Sequence, residues 1–230
     1  MNRTIWCFWT GDNDLTPNRA RNLESMKKVL GNVQLITNKN LEEYIVPSDP
    51  IPDAYWNLSL THRADFLRFY FMYHYGGGYA DIKNYTKSWD RYFDRFDENP
   101  KLEIIGTRET SRDGVFEFEL KSGYHELLCF GWFIMRRGCV LSKMMRDRAY
   151  KTLREFESKL AANPAKVPRD HLNMELEGGS LSKYPLRWGK IGGSVFHPMI
   201  AKRLSMLSPT EKANHINYDL PGWDFKDNYL

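Results

Sequence analysis

The chain has 230 residues, 42% of them hydrophobic and 27% charged, and 33 basic against 29 acidic residues leave a net charge of +4. Such a composition describes a folded globular protein with a substantial core, most simply one domain, and excludes a disordered chain. The charges are interspersed, which argues against the Lys/Arg block of a nucleic-acid arm or a polybasic membrane tether.

The first predicted element is a buried strand over residues 5–9, Ile-Trp-Cys-Phe-Trp, ending at Thr10-Gly11. Thr16 followed by Pro17 is a capping side chain with proline at the first helical position. Apolar Ala20, Leu23, Met26 and Leu30 then recur near helical spacing, and Gly31 closes the element. Residues 33–37 form a second strand, which makes a β-α-β opening. A proline-rich loop spans residues 47–52. Residues 60–75 read as a helix that is apolar on nearly every side and therefore buried. Strands are expected at 79–82 and 102–107, and an antiparallel part of a mixed sheet at 115–120 and 127–135. Residues 140–162 predict a surface helix with Met144, Leu153, Phe156 and Leu160 inward. From Pro164 onward the chain reads as loop-rich.

Three cysteines, Cys7, Cys129 and Cys139, are too few and too scattered for a disulfide framework or a zinc module. No secretory signal is visible at Met-Asn-Arg-Thr, and no apolar run is long enough to cross a bilayer. The expectation is a soluble protein of a reducing, cytoplasm-like compartment, without a transmembrane segment.

The most informative stretch runs from Ser59-Leu-Thr-His-Arg63-Ala-Asp65-Phe-Leu-Arg68 to Gly76-Gly77-Gly78-Tyr79-Ala-Asp81-Ile-Lys83. Asp65 and Arg68 are three apart on a helix, where side chains are neighbours. By itself that spacing describes a surface salt pair. Here it precedes a glycine stop that permits close backbone approach, and then a carboxylate at a strand end. Together these parts can hold a charged, hydroxyl-rich ligand such as a nucleotide sugar. Ligands of open α/β sheets sit outside the carboxyl ends of strands, so Thr10 and Gly11 are contact candidates and Trp6 belongs to the core.

This segment resembles the sugar-binding region of glycosyltransferase family 32 and its capsular-polysaccharide-synthesis relatives. Their pattern reads Ser/Ala-x-Asp-x-x-Arg-Tyr, then Tyr-Gly-Gly-x-Tyr-x-Asp-x-Asp. The match is specific from Ser59 to Asp81, supportive over residues 5–11 and weak beyond Arg137. It implies a single α/β domain of the GT-A type with a mixed, mainly parallel sheet flanked by helices. Residues 1–137 would bind the donor, and 138–230 would form the acceptor side. The implied activity moves a sugar from a nucleotide-diphosphate donor to a glycan or other hydroxyl acceptor, with retention of configuration.

By the same resemblance, Asp65, Arg68, Gly77, Gly78, Tyr79 and Asp81 surround the donor, with Ser59 and Arg63 matching more loosely. His215, with Trp223 downstream, corresponds to a segment that closes the donor site, and His197 is a second candidate. Asp170, His171, Glu175 and Glu177 form the densest polar cluster away from the motif, read either as an acceptor-side loop or as a solvated one. Asp170 or His171 would supply an acceptor-deprotonating base there. Arg136-Arg137 are either phosphate contacts or a charged turn.

Lys83 stands where the family pattern has its second aspartate, a ligand of manganese or magnesium. Those ions prefer oxygen ligands, and Lys83 offers none. Either Lys83 meets the diphosphate itself, or Asp81 and a carboxylate from elsewhere hold the metal. The rival to an enzyme is a non-catalytic sugar-nucleotide or glycan-binding domain, in which the lost aspartate marks lost activity. A single-stranded nucleic-acid binder would need the clustered charge that is missing.

Overall fold

The structure, a computed structural model, describes residues 1–223. Strands β1 (Ile5–Trp9), β2 (Val33–Thr37), β3 (Gly77–Ala80), β4 (Ile104–Arg108), β5 (Leu128–Met135) and β6 (Ile216–Asn217) form one sheet, ordered β2-β1-β3-β5-β4-β6. Parallel pairs join β1 to β2, β1 to β3 and β4 to β6, whereas β5 runs antiparallel to both β3 and β4. The fold is α/β, with a mixed, mainly parallel sheet, as expected.

Successive strand residues point to opposite faces, and β1 shows the consequence. Ile5 and Cys7 enter one core, and Trp6 and Phe8 enter the other. Helices α1 (Pro17–Leu30) and α3 (Asp90–Glu98) cover the first face through Leu23, Met26 and Phe93. Helices α2 (Leu60–His74), α4 (Val140–Ala162) and α5 (Gly193–Ser205) cover the second. Burial on both faces is why the central strands are continuous apolar runs. It is also why α2 is apolar on most sides: Phe66, Phe69, Tyr70 and Phe71 are all buried.

Several expectations need correction. Strand β3 starts at Gly77 and ends at Ala80, so Gly77 and Gly78 lie inside the strand. A Cβ on Gly77 would collide with the Thr4 carbonyl, and one on Gly78 would press on Ile5 and Trp89. These glycines let β3 lie close against β1 and the first core.

The strand expected at 115–120 is absent. Short 3-10 stretches, Arg112–Gly114 and Phe118–Glu126, occupy the connection instead. The edges of β4 are taken by β5 and β6, and those of β5 by β3 and β4, so the connection cannot pair with either strand that it joins.

Helices α3, α5 and α6 (Pro209–His215) go beyond the expected elements. In α5 the breakers Gly193 and Pro198 argue against a helix, yet burial of Val195, Phe196, Ile200 and Leu204 offsets them. Ala20, expected inward, is exposed. Among the described residues no helix is long and apolar enough to cross a membrane.

Candidate active site

A cavity of about 560 Å³ opens where β1 and β3 end, at the carboxyl ends of parallel strands where open α/β sheets take ligands. That volume suits a small-molecule site. Its floor is built on Arg68, which is 8% exposed beside Asp65 at 5%. The Arg68 Nη2 lies 3.2 Å from Asp65 Oδ1 and 3.4 Å from Asp81 Oδ1. Its Nη1 donates to the Phe130 carbonyl at 3.1 Å. Two rings flank the guanidinium, with centroids 4.3 Å away for Tyr79 and 4.1 Å for Phe130. The Tyr79 hydroxyl donates to Asp81 Oδ1. Only a flat, delocalised cation suits both the rings and the two carboxylates.

Burial pushes the Asp65 carboxyl up to about 6, against the pull of Arg68 and with a small push from Asp81. Burial also works against the Arg68 charge, but Tyr79, Asp65 and Asp81 outweigh it and the guanidinium stays charged. Tyr79 is driven well above its ordinary value, chiefly by burial, and remains a neutral donor.

One wall comes from the turn after β1 and the first turn of α1. Thr10 and Gly11 line it, with Asn13, Thr16 and Arg19. The Thr10 hydroxyl donates to the Leu60 carbonyl at 2.8 Å, and the Thr10 carbonyl accepts from Asn38 at 3.0 Å. This clasp ties the end of β1 to the start of α2. Arg19 donates to the Ile82 carbonyl, which brings its guanidinium across to the end of β3. Sequence reasoning missed Arg19. Its signal was a cation in the first turn of a helix, where the macrodipole disfavours positive charge.

The opposite wall carries Phe116, Phe130, Pro168, Arg169 and Trp188, also missed. The Trp188 carbonyl accepts from His62 Nε2 at 2.9 Å, so Nδ1 is the acceptor that takes the Tyr184 hydroxyl at 2.9 Å. Burial pushes His62 down to about 4, which keeps the ring neutral and the loop pinned to the start of α2.

The remaining sequence candidates lie elsewhere. Lys83 is 7% exposed, with Nζ 5.5 Å from the Trp223 ring centroid. It lies outside the cavity lining, where Arg19 supplies a cation. Burial, followed by Arg19, pulls the Lys83 pKa down against Asp81. Trp223 packs on Trp132 at 4.2 Å, in space left by Gly131 beside Asp81.

Gly77 and Gly78 lie at the other end of β3 and serve packing. His215 is 2.9 Å from Glu103, in a buried cluster with Arg203 that joins β4, α5 and α6. That cluster is away from the cavity. His197 donates to the Leu128 carbonyl at 3.2 Å.

Asp170 is fully buried and braces its own loop by accepting from the Lys166 backbone at 2.8 Å. His171 packs edge-on against Trp188, 5.5 Å between centroids, without lining the cavity. Glu175 and Glu177 are exposed. Arg136 donates to the carbonyls of Phe96, Leu102 and Asn99. Arg137 lies beside Gly76. Ser59 caps α2, and Arg63 donates to the Leu58 carbonyl.

Among the described residues, the surroundings of Asp81 fit a divalent metal poorly. One of its oxygens already accepts from Tyr79 and neighbours Arg68, and Lys83 adds charge of the wrong sign. Among the described residues no group of three His, Cys, Asp or Glu side chains is placed to hold a metal.

A family model for capsular polysaccharide synthesis proteins matches residues 1–102, the part that holds Asp65, Arg68 and Asp81. No curated protein matches the sequence. Among solved structures, the PaToxG glycosyltransferase matches with a TM-score of 0.51 at 12% identity, over 91% of this chain and 71% of that one. The chain shares its fold with that structure.

Proposed function

We propose that the chain is a glycosyltransferase of the GT-A type, moving a sugar from a nucleotide-diphosphate donor to a hydroxyl of a glycan acceptor. The observation that carries this reading is Arg68, held between Asp65 and Asp81 on the floor of a cavity at the carboxyl ends of β1 and β3. The matching family model and the shared fold support it.

In this reading the turn at Thr10 and Gly11 takes the base and ribose through its backbone. Asp65 and Asp81 accept hydrogen bonds from hydroxyls of the ribose and the transferred sugar. Arg68 keeps the two carboxylates in place and adds positive charge to the floor. Arg19 faces the diphosphate and stabilises it as it leaves, the largest contribution expected in such a reaction. Lys83 contributes charge from outside the cavity lining without contact. The chemistry uses no resident metal, and transfer proceeds with retention, as the resemblance implies.

A second reading, a non-catalytic nucleotide-sugar-binding domain, is favoured only by Lys83 in place of an aspartate. Thermal unfolding with UDP-, GDP- and dTDP-sugars, with and without manganese, tests what both readings share. A ligand at about a hundred times its Kd adds about 2.7 kcal/mol of stability. No shift with any nucleotide sugar would overturn both readings. Binding without donor hydrolysis or transfer would leave the non-catalytic one.

A further inference from the structure

The cavity has two walls. The wall from the β1–α1 turn carries Trp9 beside polar Thr10, Asn13 and Thr16, and ends in Arg19. The other is built around two aromatic rings, Phe116 and Trp188, with Arg169 beside them. We propose that this second wall is the acceptor subsite, and that it takes a pyranose ring by stacking the sugar's C–H face on Phe116 and Trp188. The inference rests on the reading of the first wall as the donor side, because transfer requires an acceptor hydroxyl held within reach of the anomeric carbon, and so a second subsite in the same cavity.

Phe116 is an apolar ring left 45% exposed, whereas eight of the other eleven described phenylalanines are buried. Atoms on both sides of its ring lie against Gly189 and Gly193, so closely that a Cβ on either glycine would collide with it. The ring therefore rests against bare backbone at both of its edges while lining the cavity. Gly189 follows Trp188 directly, so the two aromatic residues meet at one loop. That loop does not drift: His62, from the first turn of α2, holds the Trp188 carbonyl, and the Arg169 guanidinium lies over the indole at 5.0 Å.

A hydroxyl-rich ring offers polar edges and an apolar face, and this wall presents the complement. Aromatic faces meet the C–H groups, and the Arg169 side chain, which makes no ion pair among the described residues, meets hydroxyl or carboxylate oxygens at the rim. A nucleic-acid base would stack equally well, but the wall belongs to a cavity of about 560 Å³ and not to a basic track.

The test is retention of the purified chain on a broad array of immobilised pyranosyl glycans, alongside Phe116→Ala, Trp188→Ala and Trp188→Phe variants. The native chain should retain at least one glycan. Retention should fall at least tenfold in Phe116→Ala and Trp188→Ala, and persist in Trp188→Phe, which keeps a ring. Nucleotide-sugar thermal shifts should be unchanged in Phe116→Ala, whose exposed ring can be removed without opening the core. Absence of glycan retention by the native chain, or equal retention by the alanine variants, overturns this inference while the thermal shifts stand. Loss of the shifts in the native chain instead overturns the donor reading beneath it.

Discussion

Arg68 and Asp81 meet where α2 and β3 converge, Nη2 3.4 Å from Oδ1, although they are 13 positions apart in the chain. The contact links the helix that carries Asp65 to the strand end that carries Asp81, so both carboxylates share one cation. Arg68→Ala leaves Asp65 buried without its counter-charge, and truncating one partner of a buried pair costs about 3–5 kcal/mol. Arg68→Lys keeps the charge but loses the flat stacking against Tyr79 and Phe130. Both variants should lose donor binding, measured by titration calorimetry, with the lysine variant the more stable in urea. Normal donor affinity in Arg68→Lys would show that charge alone matters at this position.

Asp81 sits at the strand end with a side chain 30% exposed, so its removal should cost chemistry before stability. Asp81→Asn is expected to lower turnover about 10²-fold or more, the scale of losing one well-placed electrostatic contact, with a melting temperature close to native. The native enzyme should keep its activity in excess chelator. Activity that vanishes with chelator and returns with manganese would restore a metal to this site.

Arg19 and Lys83 separate two routes for charge to reach the diphosphate. Arg19 lines the cavity and Lys83 lies outside its lining. Arg19→Ala should therefore reduce kcat by about 10²-fold, and Lys83→Ala by much less. The reverse ranking in steady-state kinetics would place the lysine at the leaving group.

Stability should fall with acid. Burial pushes His62 and His197 down to about 4, against ~6.5 for an unfolded histidine. Their contribution is complete above ~6.5 and is lost as the pH falls toward ~4. Burial raises Asp65 to about 6, against ~3.9 unfolded, so its contribution is present below ~3.9 and lost as the pH rises through 6. Between these values the unfolded chain holds two extra protons and the native chain one. From these three groups the slope is about 1.4 kcal/mol per pH unit, and Asp65→Asn should steepen it by about 1.4. Urea midpoints from pH 4.5 to 6 check both numbers, and a shallower slope in Asp65→Asn would reverse the sign assigned to that carboxyl.

Much of the fold was legible because its signals are local. Apolar runs announced β1, β2 and β5, and Thr16-Pro17 and Ser59 announced the starts of α1 and α2. The segment at 115–120 alternates like a strand, but pairing depends on a free sheet edge, which no local pattern reports. Helix α5 was hidden for the opposite reason: glycine and proline argue against a helix locally, and only burial against the sheet overrides them.

The candidate site divides in the same way. The sequence by itself determined that Asp65 and Arg68 are neighbours, since helical geometry sets the separation of residues three apart, and that Asp81 follows a strand. It also supplied the resemblance on those residues. Tertiary structure decided which groups join them. Arg19 reaches the Ile82 carbonyl, next to Asp81 in the chain, only because α1 begins beside the end of β3, and Phe116 and Trp188 line the cavity only because two long connections bring them there. Lys83 shows the limit most clearly. It is two residues from Asp81, yet the turn after β3 and the packing of Trp223 carry its ammonium outside the cavity lining. Spacing along a chain sets neighbours within one regular element, whereas burial and the paths of distant segments decide which side chains share a cavity.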